Sequence, residues 1–274
     1  MRLKEFAKTG RRLSEIGMGT YYDPLWIATA YAGWRRGARA KIEAIEAGFD
    51  AGMTLVDTAE IYRSERLVAE AVRHRKRDEI FLATKVWSNH LHRDALVRAF
   101  EKSLGRLGTS YIDLYQVHFP NSRVPIAETM KAMEELVGRG KLMHIGVSNF
   151  NLRELEEACS ALSKSEVSSV QLDYSLIHRD VERDVLPFCE KQGISLLAYY
   201  PLGHGRLVSN EKLVRVGERH GKTAAQTALR WLARKQGVFP IPRASRADHV
   251  VQNAGASDWE LSEEEAARLD GEFQ

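Results

Sequence analysis

The chain has 274 residues, 44% of them hydrophobic and 28% charged, enough apolar material for a sizeable core and too little charge for a disordered polyelectrolyte. Lys and Arg number 40 against 37 Asp and Glu, and a net charge of +3 is too small to argue for a protein that coats nucleic acid. Two cysteines, Cys159 and Cys189, neither in a CxxC pair, exclude a disulfide framework and a Cys-rich zinc site.

In chain order, the N-terminal stretch MRLKEFAKTGRR is charged and has no apolar segment of the kind a secretory signal carries, so a cytoplasmic protein is expected. Short β-branched or aliphatic runs then alternate with longer amphipathic stretches. The strand-like runs are Ile16–Thr20, Met53–Val56, Ile80–Lys85, Ile112–His118, His144–Ser148, Val167–Leu172, Ile194–Tyr199 and Gly237–Ile241. Helical periodicity occupies Ala38–Ala51, Glu65–His74, Arg93–Leu107, Ile126–Gly138, Leu152–Leu162, Val181–Gln192, Thr223–Lys235 and a last region from Arg246 ending in Ser262–Leu269. The basic run Arg73–Arg77 reads as a solvated helix end. The longest nearly apolar stretch, Gly193–Gly203, falls short of the ~20 residues a membrane span requires.

Eight βα units of about 30 residues reach ~250, the size of a (β/α)8 TIM barrel, and no linker interrupts them. The expectation is one α/β domain over residues 1–274. The rival, an open doubly wound sheet around a dinucleotide, needs G-x-G-x-x-G after its first strand. Here Gly17-Met18-Gly19-Thr20-Tyr21-Tyr22 puts Tyr22 at the third glycine, and Gly203-His204-Gly205 lacks the third glycine as well.

In such a barrel the chemistry sits where the strands end. The second run ends in Asp57, the third in Lys85 and the fourth in His118; the spacings of 28 and 33 residues are each one βα unit, so a carboxylate, an ammonium and an imidazole should converge. Tyr62 follows Asp57 by five residues, in the next loop. A phenol with a pKa near ~10 needs help to act as an acid at neutral pH. Lys85 is expected to depress that pKa, Asp57 to hold the lysine charged, and His118 to hydrogen-bond a substrate oxygen. Singly, each has an ordinary reading, as a rim salt bridge or a surface aromatic; together they read as the wiring of a proton donor to a developing alkoxide.

The same residues carry a family resemblance. Asp57-Thr58-Ala59-Glu60-Ile61-Tyr62 with Ser64-Glu65, Thr84-Lys85-Val86-Trp87, Tyr111–Pro120, Gly146-Val147-Ser148-Asn149-Phe150 and Ala198-Tyr199-Tyr200-Pro201-Leu202-Gly203 resemble, in order, the motifs of the aldo-keto reductases, from Gly17 to about Leu269. The resemblance implies an NAD(P)H-dependent carbonyl reductase with Asp57, Tyr62, Lys85 and His118 at the catalytic positions, where hydride reaches the carbonyl carbon while Tyr62 protonates the oxygen and His118 orients it. It implies cofactor contacts at Gly19, Thr20, Ser148, Asn149, Gln171, Pro201 and Leu202, with Tyr199 as the aromatic on which nicotinamide stacks. At the adenosine end it implies Arg243, Ser245, His249 and Asn253. Ala244 and His249 depart from the usual hydroxyl and arginine there; NADPH remains the expected cofactor, because Arg243, Ser245 and nearby Arg246 are available, with NADH as the alternative.

Substrate contacts are expected from the loops Tyr21–Trp34, Trp87–His92, Phe119–Val124 and His204–Leu207, with Tyr21, Trp26, Trp87 and Phe119 as apolar walls. Trp26 and Trp34 have a second reading as packing aromatics. The chain stops at Gln274, soon after its last helix, which leaves no room for a long closing loop and suits a small or flat carbonyl compound. His90 and His92 lack further ligands, so no metal is expected. Also expected are no nucleic-acid or membrane partner and a monomer, with oligomers left open. Two other functions fit the barrel: a nucleotide-binding sensor or regulatory subunit with little turnover, and Schiff-base chemistry at Lys85, which leaves Ser148, Asn149 and Arg243 unused.

Overall fold

A computed structural model describes residues 1–35 and 37–273; Gln274, on which the short-tail expectation turns, lies outside them. A two-stranded antiparallel hairpin, β1 (Leu3–Glu5) and β2 (Arg12–Ser14), precedes an eight-stranded parallel sheet. The sheet consists of β3 (Met18–Gly19), β4 (Leu55–Asp57), β5 (Phe81–Val86), β6 (Ile112–Val117), β7 (Leu142–Ser148), β8 (Val167–Asp173), β9 (Ser195–Tyr199) and β10 (Val238–Pro240), neighbours in space in sequence order. The last strand returns to the first. Gly17 N–H donates to Pro240 O at 2.9 Å, Gly19 N–H to Pro242 O at 3.1 Å, and Gly19 bridges Arg243 in parallel register. A (β/α)8 barrel is thereby closed, as the eight expected strands implied.

Helices α1 (Pro24–Tyr31), α2 (Ala38–Asp50), α3 (Glu65–Val72), α4 (Arg93–Leu107), α5 (Ile126–Gly138), α6 (Leu152–Ala161), α7 (Val185–Gln192), α8 (Glu211–Glu218), α9 (Ala224–Ala233), α10 (Ala247–Ala254) and α11 (Glu263–Glu272) accompany the strands. Their ends follow capping chemistry. Asn151 and Glu154 close a capping box on α6, as do Thr223 with Gln226 on α9 and Ser262 with Glu265 on α11. Helix α4 stops at Gly108, whose φ of 64° few other residues adopt.

Three elements were absent from the expectation. The hairpin strands are three residues each, too short for an alternation to register. Helix α1 lies inside what was expected to be a loop, Tyr21–Trp34, and is started by Asp23, whose side chain accepts from Trp26 N–H at 2.7 Å. Helix α8 carries charge at both ends, buries Leu213, Val216 and Gly217 and is capped by Asn210. The region expected as one helix from Val181 begins with a single 3-10 turn, Asp180–Glu182, before α7.

Period-two alternation sorts the strand residues into two cores. Outward residues such as Val56, Leu82, Tyr115 and Val147 pack under the helices. Inward residues form layers: Leu55, Phe81, Ala83, Leu114, Leu197 and Phe239 fill the lower barrel, and the hairpin contributes Phe6 and Leu13 to the same cluster, Phe6 lying 4.9 Å from the Phe81 ring. One step further along β4, β5 and β6, and at the same level on β8, the buried side chains are polar: Asp57, Lys85, Gln116 and Gln171. The floor is therefore apolar, and the polar layer begins where the strands end.

Candidate active site

The polar layer is built around Asp57. Its Oδ2 accepts from Lys85 Nζ at 2.6 Å, and its Oδ1 accepts from Gln171 Nε2 at 2.9 Å and Gln116 Nε2 at 3.3 Å. Lys85 also donates to Thr58 O at 2.9 Å and has no accessible surface. A buried ammonium costs several kcal/mol of hydration unless it is paired and hydrogen-bonded, and both conditions are met. Burial nonetheless pulls the Lys85 pKa down, against the opposing pull of Asp57.

Tyr62 ends a 3-10 turn, Glu60–Tyr62, that follows β4. Its Oη lies 3.2 Å from His118 Nε2, and Lys85 Nζ lies 4.9 Å from the centre of its ring. The spacing argument thus brings Asp57, Tyr62, Lys85 and His118 together. One electrostatic expectation is corrected. The Tyr62 phenol is held well above its ordinary pKa, first by burial and then by the Asp57 carboxylate, rather than depressed by Lys85. The physical reason is that the buried phenol faces the Asp57 carboxylate, and both burial and that negative charge disfavour the phenolate. His118 is pushed down to about 2, by burial first and the Lys85 charge second, so its imidazole is neutral. Its Nδ1 is buried without a partner.

Three rings hem this pair in. Tyr21 meets Tyr62 edge-on at 5.2 Å, Trp87 meets His118 edge-on at 5.3 Å, and Phe119 stacks on His118 at 5.2 Å. Trp26, expected as a fourth wall, is instead buried beneath the loop, its indole N–H donating to Tyr62 O at 3.1 Å. Lys41 Nζ covers the Trp26 ring at 4.6 Å. Packing is thus the correct reading for Trp26 and the incorrect one for Trp34, which is 73% exposed.

Beside the catalytic candidates, Asn149 adopts a left-handed φ of 61° and is fixed on both sides: its Nδ2 donates to His118 O at 2.9 Å, and its Oδ1 accepts from Tyr199 Oη at 2.8 Å. Asn149 Nδ2 also reaches Ser148 Oγ at 3.1 Å. Tyr199 is half-buried at the end of β9, followed by buried Pro201 and half-buried Leu202. Thr20 is buried, its hydroxyl donating to Asp57 O at 2.9 Å and sharing a hydrogen bond with Ser64 Oγ at 2.9 Å. Gly19 is the barrel seam, where a Cβ would stand 2.8 Å from Ile241 O.

Past β10, Arg243 and His249 are exposed, Ser245 is half-buried and Asn253 is buried in α10. Arg246, considered as a reserve cation, forms a surface pair with Asp248 at 2.5 Å. Lys41, which sequence reading did not single out, feels the Arg243 charge, and burial with that charge lowers its pKa against the pull of Asp23. Its position in α2, far from Arg243 in sequence, carries no local signal. Among the described residues, no group of three or more His, Cys, Asp or Glu is arranged to hold a metal ion, and no helix is long and apolar enough to cross a membrane.

The profile of the Aldo/keto reductase family matches residues 16–272. Methylglyoxal reductase YeaE of Escherichia coli (strain K12) is 36% identical over 266 residues, covering 94% of this chain and 90% of that protein. Glyoxal reductase of Bacillus subtilis (strain 168) is 35% identical over 83% of this chain and 82% of its own length. An aldo-keto reductase from Klebsiella pneumoniae solved in complex with NADPH superposes with a TM-score of 0.89 at 35% identity, covering 100% of this chain and 96% of that one. The chain belongs to the aldo/keto reductase family.

Proposed function

We propose that this protein is an NADPH-dependent reductase of aldehydes and ketones, carried by one barrel domain over residues 1–274 and acting as a monomer in the cytoplasm on small dicarbonyl compounds of the kind its named relatives reduce. The observation that carries the reading is the stacked arrangement of a buried Asp57–Lys85 pair beneath a phenol that shares a hydrogen bond with a neutral imidazole.

The residues fit the cofactor. Tyr199 offers a half-buried ring whose orientation is locked through Asn149, the Ser148, Asn149 and Gln171 side chains offer hydrogen-bonding groups for a carboxamide, and exposed Arg243, whose charge Lys41 feels, offers positive charge for phosphate. Gly19, Thr20, Pro201 and Leu202 shape the backbone around this region, and Ser245, His249 and Asn253 flank the adenosine end. NADH is the alternative, since Ala244 has no hydroxyl to give a 2′-phosphate. When bound, the reduced nicotinamide supplies hydride to the carbonyl carbon.

The chain's own residues handle the proton. A carbonyl oxygen lodged against Tyr62 Oη and His118 Nε2 finds two polar atoms 3.2 Å apart, lined by the Tyr21, Trp87 and Phe119 rings. A phenol held above its ordinary pKa keeps its proton until an alkoxide, a far stronger base, develops beside it. The Lys85 ammonium then acts on the product of that transfer, the phenolate, rather than on the resting acid. His118, neutral throughout, orients the oxygen.

The test is NADPH consumption with a panel of aldehydes, diketones and quinones, by wild type and Tyr62→Phe. Wild type should turn over and the variant should lose roughly 10²–10⁴-fold or more while still binding NADPH. Full activity in Tyr62→Phe overturns the proton-donor assignment; tight NADPH binding by wild type without turnover of any carbonyl indicates a nucleotide-binding sensor instead.

A further inference from the structure

Glu60 lies two residues before Tyr62 in the same 3-10 turn, and its side chain is only 11% exposed. One of its oxygens, Oε1, accepts two hydrogen bonds, from Trp87 N–H at 3.0 Å and from His90 Nδ1 at 2.8 Å. A carboxylate accepts and does not donate, so His90 Nδ1 carries the hydrogen. A single oxygen therefore ties the turn after β4 to the backbone just beyond β5. Each end of the tie leads to the site: Tyr62 Oη meets His118, and the Trp87 ring meets both His118 at 5.3 Å and Phe119 at 5.7 Å. The loop after β6 joins the same assembly, because Asn121 Nδ2 donates to Ser88 O at 2.9 Å. On the far side, the Trp26 indole holds the Tyr62 carbonyl.

We propose that Glu60 is a positioning residue that fixes the distance between the Tyr62 hydroxyl and the Trp87 wall, so that the mouth keeps a narrow width and favours compact carbonyl compounds over bulky ones. Glu60 touches neither substrate nor reacting atoms; it acts through the backbone of Trp87 and through His90. The inference rests on the carbonyl-reductase reading above. It differs from a purely structural role in that loosening the tie changes substrate preference and not only stability.

The experiment compares wild type, Glu60→Ala, Glu60→Gln and His90→Ala with NADPH and two substrates, methylglyoxal as the compact carbonyl and a naphthaldehyde as the bulky one, together with amide hydrogen exchange at Trp87. Glu60→Ala should raise KM for methylglyoxal about tenfold with a smaller fall in kcat, lower the compact-to-bulky ratio of kcat/KM about tenfold, and speed exchange at the Trp87 amide. Glu60→Gln keeps an amide oxygen for the Trp87 N–H and should stay within about threefold of wild type, with His90→Ala between the two. Should Glu60→Ala fail to fold, His90→Ala and the Trp87 exchange rate carry the same test. An unchanged compact-to-bulky ratio in Glu60→Ala, or in His90→Ala where Glu60→Ala does not fold, overturns the role of Glu60 while leaving the reductase reading intact. Absence of turnover with any carbonyl by wild type overturns the reductase reading, and this inference with it.

Discussion

Lys85 has Asp57 as its charged partner at 2.6 Å and no contact with solvent, so each member of the pair compensates a charge the other could not afford to bury alone. Removing one partner leaves an uncompensated buried charge, which typically costs 3–5 kcal/mol. Lys85→Met is therefore expected to destabilise the fold by about 3–5 kcal/mol, read as a lowered urea midpoint, and to abolish turnover; an unchanged midpoint contradicts the pairing. His118 gives a pH prediction. Its folded pKa of about 2 lies below its ordinary value of 6.5, so the unfolded chain binds the proton more readily, and the contribution of His118 is full above pH 6.5 and is lost progressively as pH falls toward 2. His118→Gln should flatten the decline in stability between pH 6.5 and pH 4, measured by thermal unfolding at each pH, and an equally steep decline in the variant contradicts a neutral buried imidazole. The three strand-end residues were legible in the sequence because each ends a recognisable apolar run. The direction of the Tyr62 shift was not, since it depends on how deeply the phenol is buried and on the Asp57 carboxylate near it, neither of which has a local sequence signal. The role of Glu60 was equally hidden, because its partners Trp87 and His90 lie in another loop and leave no local pattern.

At the scale of elements, the closure of the barrel depends on Gly19. A Cβ there would stand 2.8 Å from Ile241 O, a backbone atom that cannot rotate aside. Gly19→Ala is expected to cost about 1–3 kcal/mol, as other overpacked sites do, and a neutral thermal midpoint contradicts the tight seam. On the periphery, Asn151 accepts from Glu154 N–H at 3.0 Å at the start of α6, and Asn151→Ala should cost about 1 kcal/mol with no change in KM, checked by denaturant unfolding beside steady-state kinetics. The expected bounds of α4 and α5 coincide with those observed, because each combines a full apolar stripe with a clear stop. The hairpin and α1 escaped notice for a physical reason: each is anchored by tertiary contacts, Phe6 in the barrel floor and Trp26 under the Tyr62 loop, rather than by its own periodicity. Helix α8 did carry a usable signal in Asn210 followed by buried Leu213 and Val216.

At the scale of the whole molecule, one alternation along the strands divides an apolar floor from a polar mouth, and the hairpin fills the floor from below. Because side chains on a strand alternate, the same runs that announce eight strands also place Asp57, Lys85, Gln116 and Gln171 in one layer. The size of the chain and the count of its runs made this architecture legible, whereas the width of the mouth depends on ties between loops such as that of Glu60 to Trp87. The central claim is that this layer directs hydride to a carbonyl carbon while Tyr62 supplies the proton. With NADPH carrying two deuterium atoms at nicotinamide C4 and methylglyoxal as substrate, deuterium is followed into the alcohol product by mass spectrometry. Wild type should place one deuterium on the new carbinol carbon, and Tyr62→Phe should form labelled alcohol roughly 10²–10⁴-fold more slowly; product without deuterium, or an equal rate from the variant, overturns this reading.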